Sequence, residues 1–194
     1  FHRRQLAIRR RQGVLQRVLG CRTPYLAARA ADGQLAGVLP LVRVKSLLFG
    51  HFLVSQPFVN YGGPLGSDAA IQALTAAAVR RAEETGAGLL ELRSRVELPI
   101  DLPVSHRKIT VVLDLESGDP ERTFKRFEAK LRSQVRKPMK EGVTVRFGPD
   151  QVKPFFQVFA QHMRDLGTPT QPLALFESLT ATFGDDMWVA CAWL

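Results

Sequence analysis

Along the chain, stretches whose apolar residues recur at helical spacing are interleaved with shorter apolar and β-branched runs, and glycine, proline or aspartate stands at the junctions. Residues 1–20 read as a helix with Leu6, Val14, Leu15, Val18 and Leu19 as apolar positions and Gly20 as its stop. "YLAARAADGQLAGVLPLVRVK" is two apolar-rich runs joined by Asp32-Gly33, a dipeptide suited to a tight hairpin because both central residues tolerate positive φ. "SLLFGHFLVSQPF" is a third strand, and it leads into the glycine-rich turn "NYGGPLGSDAA". A helix over 68–85 puts Ile71, Leu74, Ala78, Val79 and Ala82 on one face, with Gly86 as its cap. "GLLELRS" returns as a strand, and "HRKITVVLDLE", with its β-branched centre, is another.

At "ESGDPER" a boundary falls between strand and helix. Asp119 is a natural N-cap and Pro120 suits the first helical position, where its missing N–H is no loss. The helix then carries Phe124, Phe127, Leu131 and Val135 as a buried stripe, and Pro138 predicts a kink or an end near Lys137. "VTVRFG" is a short strand. The next helix opens at Asp150, turns Val152, Phe155, Phe156, Phe159, Met163 and Leu166 inward and stops at Gly167. "PLALFESLTATFG" is a further helix, and "MWVACAWL" is a strand that runs to the last residue, which suggests a fragment of a longer protein. The stripe of Phe124, Phe127, Phe155, Phe156 and Phe159 is core by its spacing.

Composition changes this picture little, but charge changes it more. The chain has 194 residues with 45% hydrophobic and 23% charged, ordinary for a folded chain with a real core. No apolar run is long enough to cross a bilayer, and none reads as a signal peptide. Cys21 and Cys191 argue neither for a disulfide framework nor for a zinc site, so a cytoplasmic location is expected and no metal. The net charge of +9 is unevenly spread. The first 31 residues carry eight arginines and no acid, and a second cluster over 122–140 holds Arg122, Lys125, Arg126, Lys130, Arg132, Arg136, Lys137 and Lys140 against Glu128. Taken singly, each is a solvated surface cation. The clustering favours a phosphate-bearing partner such as RNA, a nucleotide sugar or a lipid head group.

The turn holding Gly62, Gly63 and Gly66 has two readings: a corner that needs close packing, or a backbone nest for a phosphate or oxyanion. Lys45, Arg93 and Arg95 are the candidate charge partners for such a nest. Glu91 shares a strand face with Arg93. His51, His106 and His162 are candidate bases, each more often a polar surface residue than a catalyst. No Ser/His/Asp order, HExxH helix, CxxC pair or Walker loop is present.

The element order resembles the GNAT acyltransferase fold, and three stretches resemble the FemAB-type transferases. These are Tyr61-Gly62-Gly63-Pro64-Leu65, similar to the family's Arg-Gly-Pro-Val turn; "KLRSQVRKPMKEGVTV", similar to its basic helix followed by a strand; and "FFQVFAQHMRDLGTPTQPLALFESLTATFGDDMWVA", similar to its helix pair and following strand. "PLVRVKSLLFGHFLVSQPFVNYGGPL" is similar to a FemAB-related branch that accompanies exopolysaccharide and PEP-CTERM protein-sorting loci. The resemblance implies an α/β (α+β) chain of tandem GNAT-like units: 1–117 as a first domain lacking its first strand, and 118–194 as the start of a second, truncated one. It implies an N-acyltransferase that moves an acyl or aminoacyl group to an amine of a cell-envelope or exopolysaccharide precursor. The donor would be acyl-CoA or aminoacyl-tRNA, with no permanently bound cofactor. Implied partners are the donor, the precursor and tRNA, not DNA, with peripheral association at the inner face of the membrane. The implied catalytic residues are Glu91 and His51; the implied substrate or phosphate contacts are Lys45, Tyr61, Gly62, Gly63, Ser67, Arg93, Arg132, Arg136 and Lys137. Gly62 stands where the founding members have arginine, and Arg93-Ser94 where they have an acidic residue and proline. The alternative is a catalytically silent GNAT-like scaffold whose basic surface docks RNA or an anionic membrane-associated assembly.

Overall fold

A computed structural model describes residues 2–46, 50–106 and 109–194. They divide into two compact units, residues 1–102 with 172–184, and residues 103–171 with 185–194. The break therefore falls nearer residue 102 than residue 117, and the segment 172–184, expected in the second domain, clusters with the first unit.

In the first unit, helix α1 (His2–Leu19) precedes the strands β1 (Tyr25–Arg29), β2 (Leu35–Pro40), β3 (Val42–Ser46) and β4 (Gly50–Val54). The short β5 (Leu65–Gly66), helix α2 (Asp68–Glu84) and β6 (Leu89–Glu91) follow. The strands form two three-stranded sheets, ordered β1-β2-β5 and β3-β4-β6. Only Leu41 separates β2 from β3, and its N–H still donates to Pro24 O at 2.9 Å while Arg43 N donates to Arg22 O at 2.8 Å, so one bent run serves both sheets. β4 and β6 are parallel, with Phe52 opposite Leu89 and Val54 opposite Glu91, because α2 carries the chain back across the sheet.

Strand alternation decides which helix each apolar residue meets. Leu39 and Leu41 join Leu53 and the α2 stripe of Leu74, Ala78 and Ala82 in one core. Val42 and Val44 point the other way, to Val14, Leu15, Val18 and Leu19 of α1 and to Leu175 and Leu179 of helix α6 (Leu173–Phe183). That packing draws 172–184 into this unit. Gly37 lets α2 approach: a Cβ there would lie 2.9 Å from Ala70 Cβ and 3.1 Å from Leu74 Cδ1. Ser67 caps α2, its hydroxyl accepting from Ala70 N at 3.4 Å.

The hairpin at Asp32-Gly33 is present but not as a two-residue turn. Gly33 alone has positive φ, 81°, and Asp32 instead uses its carboxylate to accept from Gln34 N at 2.9 Å. Ala30 N donates to Gln34 O, and the register slips between Ala28 and Arg29, a bulge that absorbs the extra residues. Of the expected strand over 46–58, the stretch 50–54 is β4, residues 47–49 lie outside the described residues, and 55–58 form a turn.

The second unit contains α3 (Pro120–Lys125), α4 (Ala129–Lys140), β7 (Thr144–Phe147), α5 (Val152–Asp165) and β8 (Ala190–Trp193), with β7 and β8 antiparallel. Asp119 caps α3, its Oδ1 accepting from Arg122 N at 2.9 Å, and Pro120 opens it. The single helix expected over 120–137 is two. The chain breaks after Lys125 and restarts at Ala129, and α4 passes through Pro138 to Lys140. Pro138 lies in the last turn, where one lost N–H is tolerable, and its own carbonyl still accepts from Glu141 N and Val143 N. Nor is the stripe buried throughout: Leu131 is 43% and Val135 42% exposed, and no residue of α4 is buried. The aromatic residues expected as core are half-buried, with Phe155 and Phe159 stacked at 5.4 Å. Leu166, expected inward, is exposed. The described part of "HRKITVVLDLE" is not a strand: residues 109–115 have no strand partner among the described residues, and Ile109 and Val111 are each 88% exposed. The small core of this unit centres on Gln151, Val152 and Val189, and Trp193 Nε1 donates to Gln151 Oε1 at 3.0 Å. No helix among the described residues is long and apolar enough to cross a membrane.

Leu74 is 2% exposed at the centre of its core, so Leu74→Ala is expected to lower unfolding free energy by about 2–5 kcal/mol in urea denaturation. Leu131→Ala is expected to stay within about 0.5 kcal/mol of the parent, as befits an exposed site.

Candidate functional site

The loop of residues 55–64, between β4 and β5, is held against the end of β6 by one residue. Arg93 N donates to the buried Ser55 Oγ at 2.8 Å, and Arg93 O accepts from Gly62 N at 2.9 Å and Gly63 N at 2.7 Å. Its guanidinium donates to Val59 O from NH1 at 2.9 Å and to Glu91 Oε1 from Nε at 2.8 Å. Ser55 N donates in turn to Glu91 O. Both amides of the glycine nest thus point at the protein's own carbonyl. Glycine at 62 answers to packing, since a Cβ there would run into Cβ and Cγ of Gln56.

Two non-glycine residues of this loop, Gln56 at φ 54° and Phe58 at φ 65°, have left-handed backbone. Such conformations are costly and persist where surrounding structure over-determines them. Between them Pro57 O accepts from Arg11 NH2 at 3.1 Å, which ties α1 to the loop. Burial, and then the neighbouring charge of Arg93, hold the Arg11 guanidinium below the ordinary arginine pKa. Arg11 Nε and Gln56 Nε2 are buried and have no hydrogen-bond partner among the described residues. Phe58 and Tyr61 leave 46% and 39% of their surface exposed on the same loop.

Of the residues the sequence singles out, Glu91, Arg93, Tyr61, Gly62 and Gly63 come together here. Ser67 is the α2 cap. Lys45 and His51 face each other across β3 and β4. His51 precedes Val54, the register partner of Glu91, by three residues, or about 10 Å of strand. Both ring nitrogens of His51 are engaged. Nε2 accepts from Arg43 Nε at 2.7 Å, which leaves the proton on Nδ1, facing Gly86 O at 3.1 Å. His106, His162 and Arg95 are exposed and have no part in the loop. Arg132, Arg136 and Lys137 share α4 in the second unit. Arg132 NH1 donates to the carbonyls of Lys125 and Phe127 at 3.1 and 2.5 Å, closing the end of α3. Arg136 lies over the Phe124 ring at 5.1 Å, and Lys137 is 3.9 Å from Glu141.

Sequence reasoning missed Arg11, Ser55 and Gln56. Arg11 is one of eight arginines in its stretch and nothing local distinguishes it. Gln56 precedes proline, a position that favours extended backbone, so its left-handed φ runs against the local signal.

Residues 98–194 match the sequence profile of the FemAB family. Among solved structures, the crystal structure of FemX superposes with a TM-score of 0.51 and 16% sequence identity, covering 93% of this chain and 51% of that one. The chain spans about half the length of that protein, and at this identity the likeness is one of fold: mixed α/β with small sheets and packed helices. Compared with the curated proteins, the chain matches none.

The α4 cations separate structure from ligand binding. Arg132→Gln is expected to cost about 1 kcal/mol of stability through its lost carbonyl contacts. Arg136→Gln and Lys137→Gln should stay within about 0.5 kcal/mol. Where these residues meet phosphates, each substitution reduces the logarithmic salt slope for single-stranded RNA by about 0.7, read by fluorescence anisotropy across a salt series. An unchanged slope returns them to the solvated surface.

Proposed function

This chain belongs to the FemAB family, and on that premise we propose that it is the acyl-handling part of an N-acyltransferase. It would move an acyl or aminoacyl group from acyl-CoA or aminoacyl-tRNA to an amine on a cell-envelope or exopolysaccharide-related precursor. The observation that carries the reading is the family match over residues 98–194. The fold likeness to FemX and the parallel β4–β6 pair joined through α2 support a GNAT-like first unit and the start of a second. The run "PLVRVKSLLFGHFLVSQPFVNYGGPL" supports the branch linked to exopolysaccharide and PEP-CTERM sorting.

The chemistry is attack of the amine nitrogen on the donor carbonyl carbon. An N–C bond forms, the C–O or C–S bond to the carrier breaks, and the amine loses a proton. Glu91 is the acceptor we assign for that proton. Its side chain is 43% exposed and Arg93 grips Oε1 at 2.8 Å, leaving the second oxygen for the amine. His51 suits the role less, because Arg43 already occupies its lone pair. Tyr61 and the outer face of the glycine turn would border the substrate.

The second reading is a silent scaffold, favoured by α4 alone: a helix with no buried residue, carrying Lys130, Arg132, Arg136, Lys137 and Lys140 and no acid, fit to dock RNA or an anionic membrane surface. A mass-resolved transfer assay on the whole protein, with acyl-CoA and with aminoacyl-tRNA, separates the two. Product from either donor excludes the scaffold. Glu91→Gln is then expected to reduce turnover about 100-fold or more, and turnover unchanged in that variant removes Glu91 from the proton transfer.

A further inference from the structure

The loop of residues 55–64 holds more positive charge and more unused donors than its own partners answer. Two guanidiniums, Arg11 and Arg93, act on each other there, and the described acid bound to them is Glu91, held by Arg93. Arg11 gives NH2 to Pro57 O, but its Nε is buried with no acceptor. Gln56, the residue before Pro57, is 2% exposed, and its Nε2 also lacks an acceptor. Burying an unpaired donor is unfavourable, and burying it beside a like-charged pair is more so. The two left-handed non-glycine residues fall in the same short loop. Unpaired donors and a second guanidinium thus fall on this short loop and its immediate neighbours.

We infer that Arg11 and Gln56, with Arg93 beside them, form a binding site for an oxyanion, a phosphate or a carboxylate, on the α1 side of the loop. A tetrahedral or planar oxyanion supplies the acceptor oxygens that Arg11 Nε and Gln56 Nε2 lack, and one negative charge offsets the guanidinium that Glu91 does not balance. The partly exposed Phe58 and Tyr61 offer flanking aromatic surface for the organic body that carries the anion. This site is distinct from the glycine nest, whose amides are already bonded to Arg93 O. It does not depend on the transferase reading.

Thermal unfolding of the whole chain in sodium phosphate, sodium acetate and sodium chloride at equal ionic strength tests it. The expected result is a saturable rise in Tm with phosphate or acetate over chloride, as binding to the folded state requires. A rise with phosphate alone identifies a phosphate site, and with acetate alone a carboxylate site. Arg11→Met is expected to abolish the rise while leaving the anion-free Tm near that of the parent, since the hydrogen bond it loses to Pro57 O is offset by relief of the unpaired Nε and of the repulsion from Arg93. A purely structural arginine would do the opposite, lowering the anion-free Tm and keeping the response. The triple variant R132Q/R136Q/K137Q is expected to keep the rise, which separates this site from the basic helix. No rise with either anion, a rise that survives Arg11→Met, or one lost in the triple variant overturns the inference. Should Arg11→Met fail to fold, Arg11→Lys replaces it, with at least a tenfold weaker anion dependence expected and an unchanged one decisive against the site.

Discussion

Arg93 is the constraint on which the first unit's loop depends. Its N–H, its carbonyl and its side chain bond to Ser55, Gly62, Gly63, Val59 and Glu91, so a single residue just past a three-residue strand fixes ten residues of irregular chain. Buried backbone polar groups need partners, and a loop that leaves a sheet cannot find them in a ladder. Here the partners come from the next strand's exit. The loop can therefore hold two left-handed non-glycine residues without helical or sheet support.

The same economy appears in the bent run from β2 through Leu41 to β3. Its alternation gives Leu39 and Leu41 to α2 and Val42 and Val44 to α1 and α6, so one segment supplies both cores. Gln12, buried on α1, donates to Leu41 O at 3.1 Å and meets the carbonyl that the bend frees. The loop thus lies beside fully buried strand residues such as Leu39, Leu41 and Val42, with Arg11 one residue from the Gln12 contact.

The strongest sequence signals were the local ones. Gly86 follows α2, Asp119-Pro120 opens α3, and Gly167 and Gly184 follow α5 and α6, because cap chemistry is decided within a few residues. Apolar spacing was weaker evidence. The stripe from Phe124 to Val135 suggested one buried helix, but spacing cannot register that Arg132 closes α3 at Phe127 or that Leu131 stays 43% exposed. Residues 109–115 have strand composition, yet pairing depends on a neighbour that composition does not encode. The site was legible in part: Glu91 and Arg93 through their spacing and the glycine turn through its composition. Arg11 was hidden because its meaning comes from Pro57, far along the chain.

The unpaired ribbon at residues 109–115 bears on how the molecule behaves in company. Ile109, Val111, Val112, Leu113 and Leu115 offer β-branched and apolar surface to solvent, interrupted by Asp114. Exposed apolar stretches of this kind add readily to a second backbone, and what reaches them first determines whether the outcome is assembly or precipitation. Asp114 is the one charged residue of residues 109–115, and its charge opposes a like copy laid alongside in parallel register.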